Sequence, residues 1–140
     1  MRVTLISLSL LALCNSIVYA HGGVAFEADN CVINIGFLKA HFTSYQPSAS
    51  GNKEFCEDIP DVAKSVFVID YLHAFLNQIP VDFRIIEDVN NFGVFAKWAD
   101  IQTLPDLDGD TVFYQPPTQR LDGVMTVAHQ FKKAGSYIGI

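Results

Sequence analysis

The sequence predicts an all-β domain, an antiparallel two-sheet sandwich of about seven strands. Three observations carry that expectation. After the first twenty residues no segment sustains a 3.6-residue apolar period. Short runs of alternating apolar and polar residues recur instead, and turn residues separate them. The chain has 140 residues, half of them hydrophobic, which suits one domain with a single core.

The first twenty residues stand apart. Met1-Arg2 gives a short positive start, residues 3–17 are apolar, and Val18-Tyr19-Ala20 offers a cleavage site. That is a secretory signal peptide over residues 1–20, leaving a β-sandwich domain over residues 21–140. The apolar run is shorter than the ~20 residues a membrane-spanning helix needs, and Asn15-Ser16 interrupts it. No later segment is apolar enough to span, so the mature chain is expected to be exported to the periplasm or secreted.

Cleavage removes Cys14 and leaves two cysteines, Cys31 and Cys56. In an oxidising compartment a disulfide is the default for such a pair. Closing a loop of about 25 residues stabilises the fold by ~3 kcal/mol on the chain-entropy model. A thiolate metal site is the competing reading, but the sequence has no CxxC spacing.

Along the mature chain, Cys31, Ile33 and Ile35 alternate with Val32 and Asn34. The phase changes at Gly36-Phe37, which predicts a bulge or kink, and Leu38, Ala40 and Phe42 carry the apolar face onward. Residues 48–53 form a polar loop. Residues 65–71 are β-branched and aromatic, a strand composition. Residues 72–79 suit a helical turn or an irregular crossing. Pro80 opens a strand in which Val81, Phe83 and Ile85 share one face. Further strands are expected at 94–98, 111–115, 123–131 and 136–140. Asp108-Gly109, a dipeptide that readily takes positive φ, introduces the second of these.

Phe131-Lys132-Lys133-Ala134-Gly135-Ser136-Tyr137 resembles the F-x-x-x-G-x-Y corner of immunoglobulin-like and cupredoxin-like periplasmic sandwiches. Ile79-Pro80-Val81 resembles their turn into a strand. The resemblance implies architecture, not activity. It also implies that Tyr137 is largely buried with its hydroxyl bonded to backbone upstream. Such domains usually continue to a closing strand, whereas this sequence stops at Tyr137-Ile138-Gly139-Ile140. A partner supplying that strand is one reading, and a longer parent chain is the preferred one.

The net charge of -6 excludes a nucleic-acid or anionic-membrane partner, since both select Lys/Arg patches. The sharpest chemical clue is His21, which becomes the mature N-terminus. Its α-amine and Nδ1 together can chelate one ion, and nitrogen donors of this kind select Cu(II). The mature start is similar in this one residue to histidine-brace copper proteins. That resemblance implies copper as cofactor and a further imidazole as ligand. His41 is the candidate, because Leu38, Ala40 and Phe42 mark the core face and leave it outward.

His129 shares a strand face with Met125, Val127 and Phe131; a core histidine is the simple reading and a His/Met copper site the sharper one. His73 reads as a surface residue. Asp106-Leu107-Asp108-Gly109-Asp110 fails the EF-hand pattern and reads as an acidic turn. Glu54, Glu57, Asp58 and Asp61 read as a solvated loop. Phe95, Trp98 and Tyr114 could build a stacking surface, but small sandwiches routinely bury such side chains.

No nucleophile elbow, zinc-protease motif or glycine-rich phosphate loop is present, so no catalytic residue is expected. Two readings follow. The leading one is an exported, non-catalytic binding or accessory module of the cell envelope that docks a protein partner. The alternative is a copper-binding protein, a carrier before an oxidase, using His21 with His41.

Overall fold

The computed structural model describes residues 31–140; the signal peptide expected over residues 1–20 and the metal candidate His21 lie outside the described residues. Eight strands form two antiparallel sheets, as the alternation requires. In the first sheet β1 (Val32–Ile35), β2 (Leu38–Tyr45), β4 (Lys64–Tyr71) and β7 (Val124–Gln130) lie in that order, and β3 (Glu54–Phe55) also pairs with β2. In the second sheet β5 (Pro80–Glu87) lies between β6 (Thr111–Gln119) and β8 (Tyr137–Gly139).

The Gly36-Phe37 phase change is not a bulge within one strand. Ile35 pairs with Leu38, so these two residues are a hairpin loop, and Gly36 takes the φ of 62° that a tight hairpin demands. Residues 47–50 form one short helix, α1 (Pro47–Ser50), rather than an open loop. The crossing from β4 to β5 is a 3₁₀ turn at Ala74–Gln78, which buries Leu76 completely.

The strand expected at 94–98 does not form. A 3₁₀ turn at Gly93–Phe95 and a short helix α2 (Trp98–Ile101) occupy that stretch. The buried Asp88 carboxylate accepts hydrogen bonds from the backbone N–H of Phe92 (2.9 Å) and Gly93 (2.8 Å), and Gly93 has a φ of 63°. These local bonds turn the backbone away from any sheet edge, whatever the apolar alternation suggests. Strand β6, by contrast, runs on through Pro116-Pro117 to Gln119. It is an edge strand, where a missing N–H costs no ladder bond. Gly109 does not take positive φ; its N–H donates to Asp106 Oδ1 at 2.8 Å, and a Cβ there would strike the Asp106 carboxylate.

The core lies between the sheets and is largely aromatic. Phe42 and Phe67 of the first sheet stack with centroids 5.7 Å apart, and Phe83 of β5 meets both at 6.3 and 6.0 Å. Phe131 stands edge-on to Phe67 at 6.2 Å. Leu38, Ala40, Ile69, Met125, Val127, Val81 and Ile85 fill the space around them. Each inward residue is one the strand alternation assigns to the core.

The tyrosine corner is present in its hydrogen bond: the Tyr137 hydroxyl donates to the Lys133 carbonyl at 2.9 Å. Its ring is half-buried rather than largely buried, packed on Phe131 at 4.8 Å. Truncating the central ring, Phe67→Ala, is expected to lower unfolding free energy by about 3–5 kcal/mol in chemical denaturation. Tyr137→Phe keeps the ring and removes one hydrogen bond, so the same measurement should lose only about 1 kcal/mol.

Candidate functional site

Strand β2 carries the histidine singled out by the sequence, and the predicted disulfide lies along its edge. Its far edge pairs with β4, and its other edge pairs with β1 along residues 38–41 and with β3 along residues 44–45. Val32 faces His41 and Phe55 faces Ser44. Cys31 and Cys56 therefore fall opposite Phe42 and Thr43, where β1 and β3 meet end to end. They form a disulfide with Cα atoms 5.1 Å apart. The Cys31 carbonyl accepts the Phe42 N–H at 2.8 Å. The bond thus welds two half-strands into one edge, a role invisible in cysteine counting.

His41 points to the outer face of this sheet, as the alternation with Leu38, Ala40 and Phe42 requires. Its Nδ1 lies 3.2 Å from Thr43 Oγ1, and β4 places Asp70 directly opposite. Residues opposed in this way hold their Cβ atoms about 5 Å apart. Among the described residues, no group of three His, Cys, Asp or Glu is arranged to hold a metal ion. The described residues include no helix long and apolar enough to cross a membrane.

The His129/Met125 pairing does not form a site. Four residues of extended strand separate them by about 13 Å, and Met125 is fully buried in the core. His129 instead sits at the open margin between the sheets. Its ring packs edge-on to Phe131 at 4.8 Å and against Phe113 of β6 at 5.7 Å. With Thr111, Val112, Phe131, Lys132, Lys133 and Tyr137 it lines a cleft of about 530 Å³. Burial pushes its pKa below the ordinary histidine value, and the charge of Lys132 adds to that. Lys133 is engaged by Glu87 at 2.7 Å.

The other sequence candidates are dispersed. His73 is exposed at the start of the 3₁₀ crossing. Asp108 holds Arg84 at 2.7 Å, and Arg84 also stacks on the Tyr114 ring at 4.4 Å, so this acidic turn is bound to β5 and β6. Glu54 accepts the Tyr45 hydroxyl at 3.0 Å, while Glu57 and Asp58 line an open depression beside Cys56. Phe95, Trp98 and Tyr114 are exposed, contrary to the expectation that the core takes them. Sequence reasoning missed Gln46, which is fully buried; its side chain bonds the Asp61 backbone through both N–H and carbonyl and also reaches Ser65. A polar residue between a strand and Pro47 gave no signal of that role.

Among solved structures, the chain is similar to the crystal structure of the PmoD soluble domain from Methylocystis sp. ATCC 49242 (Rockwell). The TM-score is 0.64 at 26% identity, over 79% of this chain and 82% of that one. The two share an antiparallel two-sheet β fold. No family model matches the sequence, and no curated protein does.

The lowered His129 pKa sets a sign for pH dependence. The unfolded chain protonates this imidazole near pH 6.5 while the folded chain keeps it neutral to lower pH. Its contribution to stability is therefore complete above pH 6.5 and is lost as pH falls through the folded value. His129→Gln should flatten the stability decline between pH 7 and pH 5 in urea titrations. A slope equal to that of the parent chain would contradict it.

Proposed function

We propose that the protein is an exported copper-binding domain, a carrier rather than an oxidase. The observation that carries this reading is the likeness to the soluble domain of PmoD, a copper-related protein, over most of both chains. It favours the copper alternative over a plain docking module. Absence of catalytic motifs from the sequence favours a carrier.

The chemistry of the donors fits the ion. A mature N-terminal His21 offers an amine and an imidazole nitrogen, the set that Cu(II) prefers. Ten residue-to-residue steps separate His21 from Cys31, and such a tether spans up to about 33 Å when extended. Cys31 lies opposite Phe42, next to His41, so His21 and His41 are within reach of one ion. The thiols of Cys31 and Cys56 are spent in their disulfide and Met125 is sealed in the core, so none of these sulfur atoms is offered to the ion. When bound, copper would be held by His21 and His41 as cargo on the outer face of the first sheet.

Calorimetry tests this on the chain produced through its export route, after intact mass fixes its first residue. Protein starting at His21 should bind one Cu(II), and affinity should fall as pH drops through the titration of the amine and imidazole. One extra residue ahead of His21 should weaken binding at least about tenfold, because the chelate needs the free amine. His41→Ala should weaken it less. Equal affinity in the extended and native-terminus proteins overturns the proposal.

A further inference from the structure

A sheet edge offers unpaired N–H and C=O groups to any other strand, and proteins blunt such edges with charge, proline, bulges or brevity. Of the four edges among the described residues, three are treated in this way. Strand β6 carries Pro116-Pro117 and two register shifts against β5. Strand β8 has three residues, and β1 and β3 are short pieces tied through the disulfide. Strand β7 has none of these devices. Its seven residues include no proline and no Asp, Glu, Lys or Arg, and its register with β4 runs without a shift. The hydrogen-bond phase tells which of its backbone groups are free. The Tyr71 N–H donates to the Gly123 carbonyl at 2.8 Å, and the Phe131 N–H to the Ala63 carbonyl at 3.4 Å. Odd-numbered residues of β7 therefore turn their backbone groups to β4, while Val124, Thr126, Ala128 and Gln130 turn theirs away. Among the described residues no strand pairs with that edge.

We propose that β7 pairs with β7 of a second copy of this chain, antiparallel across a two-fold axis at Val127, joining the two first sheets into one. The free groups belong to even-numbered residues, so an antiparallel partner must set its own free residues against them. Centring the pair on Val127 does so and uses the whole strand. Val124 then faces Gln130 of the other copy, and Thr126 faces Ala128. Thr126, Ala128 and Gln130 are exposed, and no like charges are opposed along the ladder. Two chains of net charge -6 repel over most of their surface, and this uncharged strip is where they can approach. Beyond the ladder, each Lys132 comes to the same end as the other copy's turn at residues 120–123. Lys132 is exposed and forms no ion pair among the described residues. Asp122 stands at the start of the edge, its Oδ1 accepting the Val124 N–H at 3.4 Å. Arg120 shares that turn, so the fit rests on the uncharged ladder, with Lys132 and Asp122 as an accessory pair. The pairing consumes both β7 edges and leaves only blunted ones, so it closes at a dimer. It is independent of the copper reading, whose His41 lies on β2, beyond β4 from this edge.

Sedimentation velocity on the metal-free mature protein tests it. The protein should sediment as a reversible dimer with no larger species. Ala128→Pro removes one edge donor from each copy and no bond to β4. It should weaken association at least about tenfold while the chain keeps its folded circular dichroism. Charge tests the register. Thr126→Lys/Ala128→Lys sets like charges against each other and should give monomer. Thr126→Lys/Ala128→Glu sets unlike charges against each other in the same register and should restore the dimer. Hydrogen exchange on the parent chain needs no variant. The amides of Thr126, Ala128 and Gln130 should gain protection as concentration rises, while those of Val127 and His129 are protected throughout. A monomer at about 0.1 mM would overturn the proposal, since a Kd of micromolar order gives mostly dimer there. So would dimerisation that Ala128→Pro leaves unchanged, folded charge variants that behave alike, or edge amides whose exchange ignores concentration.

Discussion

The contact on which the molecule depends is the aromatic seam between its two sheets. Among the described residues no ladder of backbone hydrogen bonds joins the sheets, so side-chain burial must hold them face to face. Phe67 is the pivot: it stacks on Phe42 within its own sheet, meets Phe83 across the gap and takes Phe131 on its edge. From there the seam runs outward through His129, Phe113 and Tyr137. Rings of this size bury large areas and prefer offset or edge-on contact, which fixes spacing as well as adhesion. At the margin of this seam, burial and the nearby Lys132 charge lower the pKa of His129.

The disulfide acts on a different weakness. Strands β1 and β3 are too short to persist as independent edges, having four and two residues. Joined through Cys31 and Cys56, they serve as one edge along the length of β2. That arrangement also anchors the start of the described chain beside His41. The covalent bond, placed for stability, thereby determines where the preceding residues are tethered. It is the physical link between the fold and the proposed copper chelate.

Surface character divides along the long axis of the sandwich. One end gathers apolar loop tips, and the other gathers aspartates, most of them on the segment between β5 and β6. Arg84, bound to Asp108 and Thr111 and stacked on Tyr114, draws that acidic segment back onto the sheet. The asymmetry arises from which loops the topology brings together. Phe37, Phe75 and Leu121 are far apart in sequence and meet only because β4–β5 and β6–β7 both cross between sheets at the same end.

The sequence by itself determined the strand-rich architecture, the inward residues of β2, β5 and β7, the disulfide and the hydrogen bond of the tyrosine corner. Each depends on local periodicity or on pairing within a short motif, so each is legible along the chain. His41 on the outer face was legible for the same reason. The alternation at 94–98 lost to local bonds that periodicity does not show rather than to tertiary packing: the Asp88 carboxylate accepts two backbone N–H groups. Tertiary structure alone decided the rest. The prolines of β6 were tolerated because the topology made it an edge. Burial of Gln46, separation of His129 from Met125 and exposure of Phe95 and Trp98 depend on what lies across space. A one-dimensional pattern states which face a side chain takes, but not what that face meets.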